Sequence, residues 1–237
     1  GVRALLLQTM HPLAMAGVAE HSDYESDPLG RLQRTGDFVA TTTFGGTAEA
    51  HRAIEQVKRV HRRVNGTAPD GRPYDAQDPE LLRWVHCAEV DSFQRAYQQY
   101  GRSPMRHLDV DRYISEMAVV AEALGSAPPP RTRLEMRNYF AQLQPELQPS
   151  RQARDAVRWI LNPPLPRQVK PAYFVLAGAA VLSLPDWVRR RLLLLTPPLV
   201  GPVAVRPATR TLLGTFRWAL GEESPVVAAA RDRKSVV

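Results

Sequence analysis

The punctuation of the chain does most to limit its fold. Asp27-Pro28 and Asp78-Pro79 each set a capping acid before a proline at the first helical position. Gly45-Gly46, Asn65-Gly66 and Gly125 with Pro128–Pro130 read as stops, with Asn65-Gly66 expected to form a left-handed helix cap. Between these marks apolar residues recur at helical spacing, and no segment keeps up the alternation of a strand. The expected fold is all-α, a single globular multi-helix domain.

Taken in order, Val2 to Ala19 reads as a buried helix that Pro12 must break or kink near His11. His21-Ser22-Asp23 reads as a loop, and the helix opened by Pro28 runs to about Phe44. Thr47 is the expected N-cap of a helix over 48–64. A long helix follows from Asp78-Pro79 to about Tyr100, its inner stripe read as Leu82, Val85-His86, Glu89, Phe93, Ala96-Tyr97 and Tyr100. Further helices are expected over Asp109–Leu124, about 131–142, Arg151–Leu161, Tyr173–Leu184, Trp187–Leu195 and 208–220, with a frayed tail after Glu222. Two parts of one domain are expected: 1–125, a core carrying the motifs, and 126–237, a proline-broken basic part.

The charge divides along the same line. Residues 1–130 carry 14 Lys and Arg against 17 Asp and Glu, whereas residues 131–237 carry 17 against 7, so the whole net charge of +7 comes from the second part. A basic tail suits nucleic acid or an anionic membrane surface. Arginines dispersed among prolines, without a nucleic-acid-binding signature, argue against nucleic acid and leave peripheral membrane contact. Trp187–Leu195 can pack on the core or lie on a membrane interface. The single cysteine, Cys87, forbids an internal disulfide and C-x-x-C motifs, which fits a reducing, cytoplasmic setting. The chain opens inside what reads as a helix, so an earlier targeting segment is left open.

Three constellations carry chemistry. Arg31, Arg34 and Thr35 stand at i, i+3 and i+4, so a helix gathers two guanidinium groups and a hydroxyl on one face. His61 interrupts the apolar stripe Ile54, Val57, Val64. It is either an inward axial ligand for a cofactor or a core histidine with a satisfied hydrogen bond. His86 and Glu89, at i, i+3, are either a hydrogen-bonded pair tying helices together or members of a ligand shell; their spacing also suits a di-iron carboxylate site, which needs further carboxylates. His11, at the Pro12 break, points from a place where carbonyls are freed.

The run H-P-x-x-x-x-G-V-x-x-H-S-x-x-x-x-D-P-x-x-R-x-x-R-T at 11–35 resembles the signature of the oxygenase family that includes MpaB-type proteins and the catalytic domain of rubber oxygenases. V-x-x-V-H-x-x-V-x-G at 57–66 and D-P-x-L-L-x-W-V-H at 78–86 continue the resemblance. It implies an all-helical fold with a pocket between helices for non-covalent haem b. It also implies chemistry with dioxygen that cleaves C=C bonds in a hydrophobic, small or polymeric, isoprenoid substrate. By the same resemblance His61 is the axial iron ligand and Lys58 stands where the family has arginine; Lys58, Arg62 or Arg63 can reach outward to a propionate. Arg31, Arg34 and Thr35 match the distal Arg-x-x-Lys-Thr, with Arg34 for the lysine, and His11 and His86 fall in the cofactor's surroundings. One position departs: the family's distal glutamate corresponds to Met15, with Glu20, His11 and His21 nearby. A non-catalytic haem- or lipid-binding protein is the alternative from another class.

Overall fold

Residues 1–22, 28–194 and 201–220 are described by the computed structural model of the protein. The expected cap Asp27, the loop residue Asp23 and the tail after Glu222 lie outside these residues. Among the described residues eleven helices follow one another: α1 (Val2–Gln8), α2 (Pro12–His21), α3 (Pro28–Phe44), α4 (Thr47–His61), α5 (Pro79–Tyr100), α6 (His107–Leu124), α7 (Arg133–Leu143), α8 (Arg151–Leu161), α9 (Lys170–Ser183), α10 (Asp186–Arg191) and α11 (Arg206–Leu220). A π-helical turn, Gly201–Val205, leads into α11, and a small antiparallel hairpin, β1 (Asn65–Thr67) with β2 (Pro73–Asp75), joins α4 to α5. The fold is all-α apart from that hairpin.

Local chemistry sets the boundaries. Pro12 cannot continue α1, so the chain breaks there and His11 becomes the N-cap of α2, its Nδ1 accepting the Ala14 N–H at 3.5 Å. Asp78 caps α5 through the Glu80 N–H at 2.8 Å, with Pro79 beside it. Thr132 and Ser150 cap α7 and α8 in the same way, accepting from Glu135 and Ala153. Gly125 ends α6 with φ of 100°, a left-handed turn in which the Ser126 N–H reaches the Ala121 carbonyl at 3.0 Å.

The main core joins both parts of the sequence. Leu6, Leu7 and Met10 of the first turns pack with Trp84 and Val90 of α5, Val110 and Ile114 of α6, Val157 of α8 and Val181 of α9. Within it lies a buried ion pair. Arg3 reaches Asp91 at 2.8 Å, with side chains 4% and 9% exposed, and also donates to Ser92 Oγ and the Ser183 carbonyl. The pair ties α1, α5 and α9 together through a cation that α1 could not otherwise bury.

Several expectations need correction. Asn65-Gly66 is not a left-handed cap: α4 stops at His61 and these residues form β1, with Gly66 opposite Tyr74. The N-cap of α4 is Gly46, whose N–H is taken by the Glu49 carboxylate at 2.8 Å, and not Thr47. His21 is the last residue of α2 and not part of a loop. On α5 the fully buried face is Leu81, Trp84, Cys87, Ala88, Asp91 and Ser92, turned from the expected stripe because α1 packs there. Leu82, His86, Glu89 and Phe93 form a half-buried flank, while Val85, Ala96 and Tyr97 are exposed. The open choice at 187–195 resolves towards the core for Val188 and Leu192, which are buried in the main cluster; Leu195 lies outside the described residues. Among the described residues no helix is long and apolar enough to cross a membrane.

Candidate functional site

The motif residues of α2 and of the β-hairpin meet around Tyr74. Tyr74 is 5% exposed, with its ring edge against Gly17 and its hydroxyl end against Gly66. A Cβ on Gly66 would stand 2.6 Å from the Tyr74 Oη, and one on Gly17 would touch the ring at 3.5 Å. Glycine is required at 66 by this close approach and not by backbone torsion. The Tyr74 hydroxyl donates its proton to the Glu20 carboxylate. His21 Nε2 lies 3.0 Å from the same hydroxyl oxygen and 3.2 Å from the Asn65 carbonyl, both then acceptors, so that nitrogen carries the ring proton. Burial, with Glu20 alongside, pushes the Tyr74 hydroxyl up to about 12. Glycines 17 and 66, Glu20, His21 and Asn65 thus build a latch that fixes the hairpin following α4 against α2. Glu20 and His21 are both committed to this latch.

The end of α4 carries His61. Its ring is half-buried and receives no hydrogen bond among the described residues; burial lowers its pKa, opposed by Asp75. His86 on α5 is similar. Its Nε2 is buried without a partner, and burial pushes its pKa down to about 4. His86 lacks the satisfying hydrogen bond that a purely structural core histidine calls for and does not bond Glu89, whereas no His61 ring nitrogen is buried without a partner. Both stay neutral at physiological pH, the state in which an imidazole ligates iron. Helix α6 packs against both α4 and α5, bridging the two histidine-bearing helices. Glu89, half-buried on the same flank as His86, has its carboxyl pushed up by burial.

His11 differs. It is buried, 6.1 Å from the Trp84 ring, with its pKa lowered to about 4 by burial first and Arg72 second. Its Nδ1 is used in capping α2, which leaves the neutral ring's proton on Nε2 and no free lone pair for a metal. Cys87 is fully buried, and burial pushes its thiol far up, which disfavours a thiolate ligand there.

Arg34 and Thr35 sit on α3 and are exposed, whereas Phe38 below them is half-buried; the side chain of Arg31 lies outside what is described. Lys58 is half-buried and paired with Glu55 at 3.1 Å. Met15 is buried against Ala153 and Ala156 of α8. Among the described residues no three His, Cys, Asp or Glu side chains converge as a metal-ion site, so a di-iron centre on His86 and Glu89 lacks its further carboxylates there. Sequence reasoning missed Tyr74 and the Arg3–Asp91 pair. Two glycines spaced to flank one aromatic ring were the available signal for the first, and a lone arginine in an apolar helix for the second.

These features define an all-helical protein with neutral, uncommitted imidazoles on two helices flanking a third. The family model described as ER-bound oxygenase mpaB/B'/Rubber oxygenase, catalytic domain, matches residues 1–218, and the chain belongs to this family. Its class is therefore that of an oxygenase, an oxidoreductase acting on a substrate with dioxygen. No curated protein and no solved structure gives a match to the chain.

Proposed function

We propose that the protein is a haem b-dependent oxygenase that uses dioxygen to cleave a C=C bond in an apolar, isoprenoid-like substrate. The observation that carries the reading is the state of His61: half-buried, its pKa lowered by burial, and without a protein hydrogen bond, inside the stretch that the family model matches. The donor chemistry fits the cofactor, since a neutral imidazole is the ligand iron porphyrin takes and the partnerless His86 Nε2 is left over in the protein's own hydrogen bonding. Were haem bound, His61 would hold its iron, Lys58 would meet a propionate, and His86 and His11 would line its surroundings. When bound, haem supplies the iron at which dioxygen is activated.

The protein's own groups do the rest. The latch around Tyr74 anchors the hairpin that follows α4, the helix that ends at His61. Arg34 and Thr35, with Arg31, would supply the guanidinium and hydroxyl donors that stabilise negative charge developing on the substrate side. Glu20 and His21 serve the latch, so neither replaces the family's glutamate as a proton acceptor. The test is oxygen uptake with squalene as substrate, followed by carbonyl analysis of the products. Uptake with carbonyl-ended fragments, abolished by His61→Ala, is expected; equal uptake by the variant would overturn the assignment.

A further inference from the structure

A second site lies away from these histidines. A cleft of about 1000 Å³ opens between α5, α7 and the start of α10, and none of His11, His61, His86, Arg34 or Thr35 lines it. It carries an apolar patch, Ile114 and Met136, both 3% exposed, with Phe140 and Trp187 beside them, next to Gln94, Gln98, Gln99 and Gln144. Its rim is basic. Arg95, Arg133, Arg137 and Arg206 line it, against only two acids, Asp91 and Asp111.

Those acids are already taken. Asp91 neutralises the buried Arg3 at 2.8 Å as well as holding Arg95 at 2.9 Å, and Asp111 holds Arg133 at 3.2 Å. Arg137 and Arg206 are exposed and have no carboxylate within ion-pair reach among the described residues. The cleft therefore combines an apolar patch with a positive rim that the described carboxylates do not balance. Its volume is that of a small-molecule pocket.

We propose that this cleft binds an amphiphile of the long-chain carboxylate class, its tail on the Met136–Phe140 patch and its head at the arginine rim. A guanidinium matches a carboxylate through paired N–H donors, and an apolar wall beside it raises the strength of that contact. An uncharged isoprenoid would gain the patch but leave the rim unused, so head charge is what the cleft selects. The proposal is independent of the haem reading, because its residues are different and binding needs no turnover.

The test is tryptophan quenching of the full-length protein by 9,10-dibromostearate kept below its micelle concentration, with the methyl ester as the uncharged control. Saturable one-to-one quenching is expected, weakened at least about tenfold for the methyl ester and by a similar factor in the Arg137→Gln, Arg206→Gln double variant. Trp187→Phe should remove most of the quenching while competition by unlabelled stearate persists in calorimetry. Dodecyl phosphate separates head chemistries: binding equal to that of a carboxylate of the same chain length would widen the class to anionic heads in general and overturn the carboxylate assignment. Equal affinity for acid and ester, an unaffected double variant, or no saturable binding would each overturn the site.

Discussion

Replacing His86 by Leu tests whether a neutral, partnerless imidazole sits inside the fold. The folded His86 titrates near 4, against 6.5 for an exposed histidine. Between those values the unfolded chain takes up a proton that the folded protein refuses. Stability is therefore present in full above pH 6.5 and falls as the pH drops towards 4. From pH 7 to pH 5 the loss due to His86 alone is about 2 kcal/mol by that linkage. His11, also near 4, contributes a similar loss of its own. In His86→Leu the buried nitrogen without a partner disappears, which leaves the variant as stable as the parent or up to about 2 kcal/mol more so at pH 7. At pH 5 the variant should lead by about 2 kcal/mol more than at pH 7. Urea unfolding of the haem-free protein at the two pH values measures this directly. If parent and variant lose the same stability between pH 7 and pH 5, His86 is not held neutral by burial and the reasoning fails.

Other substitutions probe the scaffold and the distal face. Asp91→Asn strands the Arg3 guanidinium, 4% exposed, and should cost about 3–5 kcal/mol in urea unfolding. Gly66→Ala drives a Cβ to 2.6 Å from the Tyr74 hydroxyl and should cost about 1–3 kcal/mol, visible as a lowered melting temperature. Thr35→Val, at an exposed position, should leave stability within about 0.5 kcal/mol while slowing product formation about tenfold, the pairing of effects that separates a distal role from a structural one.

Much of the helical framework was legible because its boundaries are written in single residues. Asp78-Pro79, Gly125 and the Pro12 break each act within one turn of chain, and the structure places helix ends at all three. What escaped depends on distant partners. Asn65-Gly66 has the local chemistry of a helix cap, but Tyr74 covers Gly66 and draws the segment into a strand, a tertiary contact eight residues on. The buried face of α5 could not be chosen from periodicity, since the helix offers apolar residues on both its Trp84 and its Phe93 sides; packing by α1 decided it. The site divided in the same way. His61 and His86 were found as polar breaks in apolar stripes, whereas their lack of hydrogen-bond partners is visible only once every neighbouring helix is in place.

The most direct test of the central claim is a spectroscopic titration of the purified full-length chain with haem b. The account predicts a Soret band that shifts and saturates at one equivalent, and that His61→Ala removes while helical circular dichroism is kept. A saturating band of unchanged position and strength in His61→Ala, or no shift with the parent protein, would contradict it.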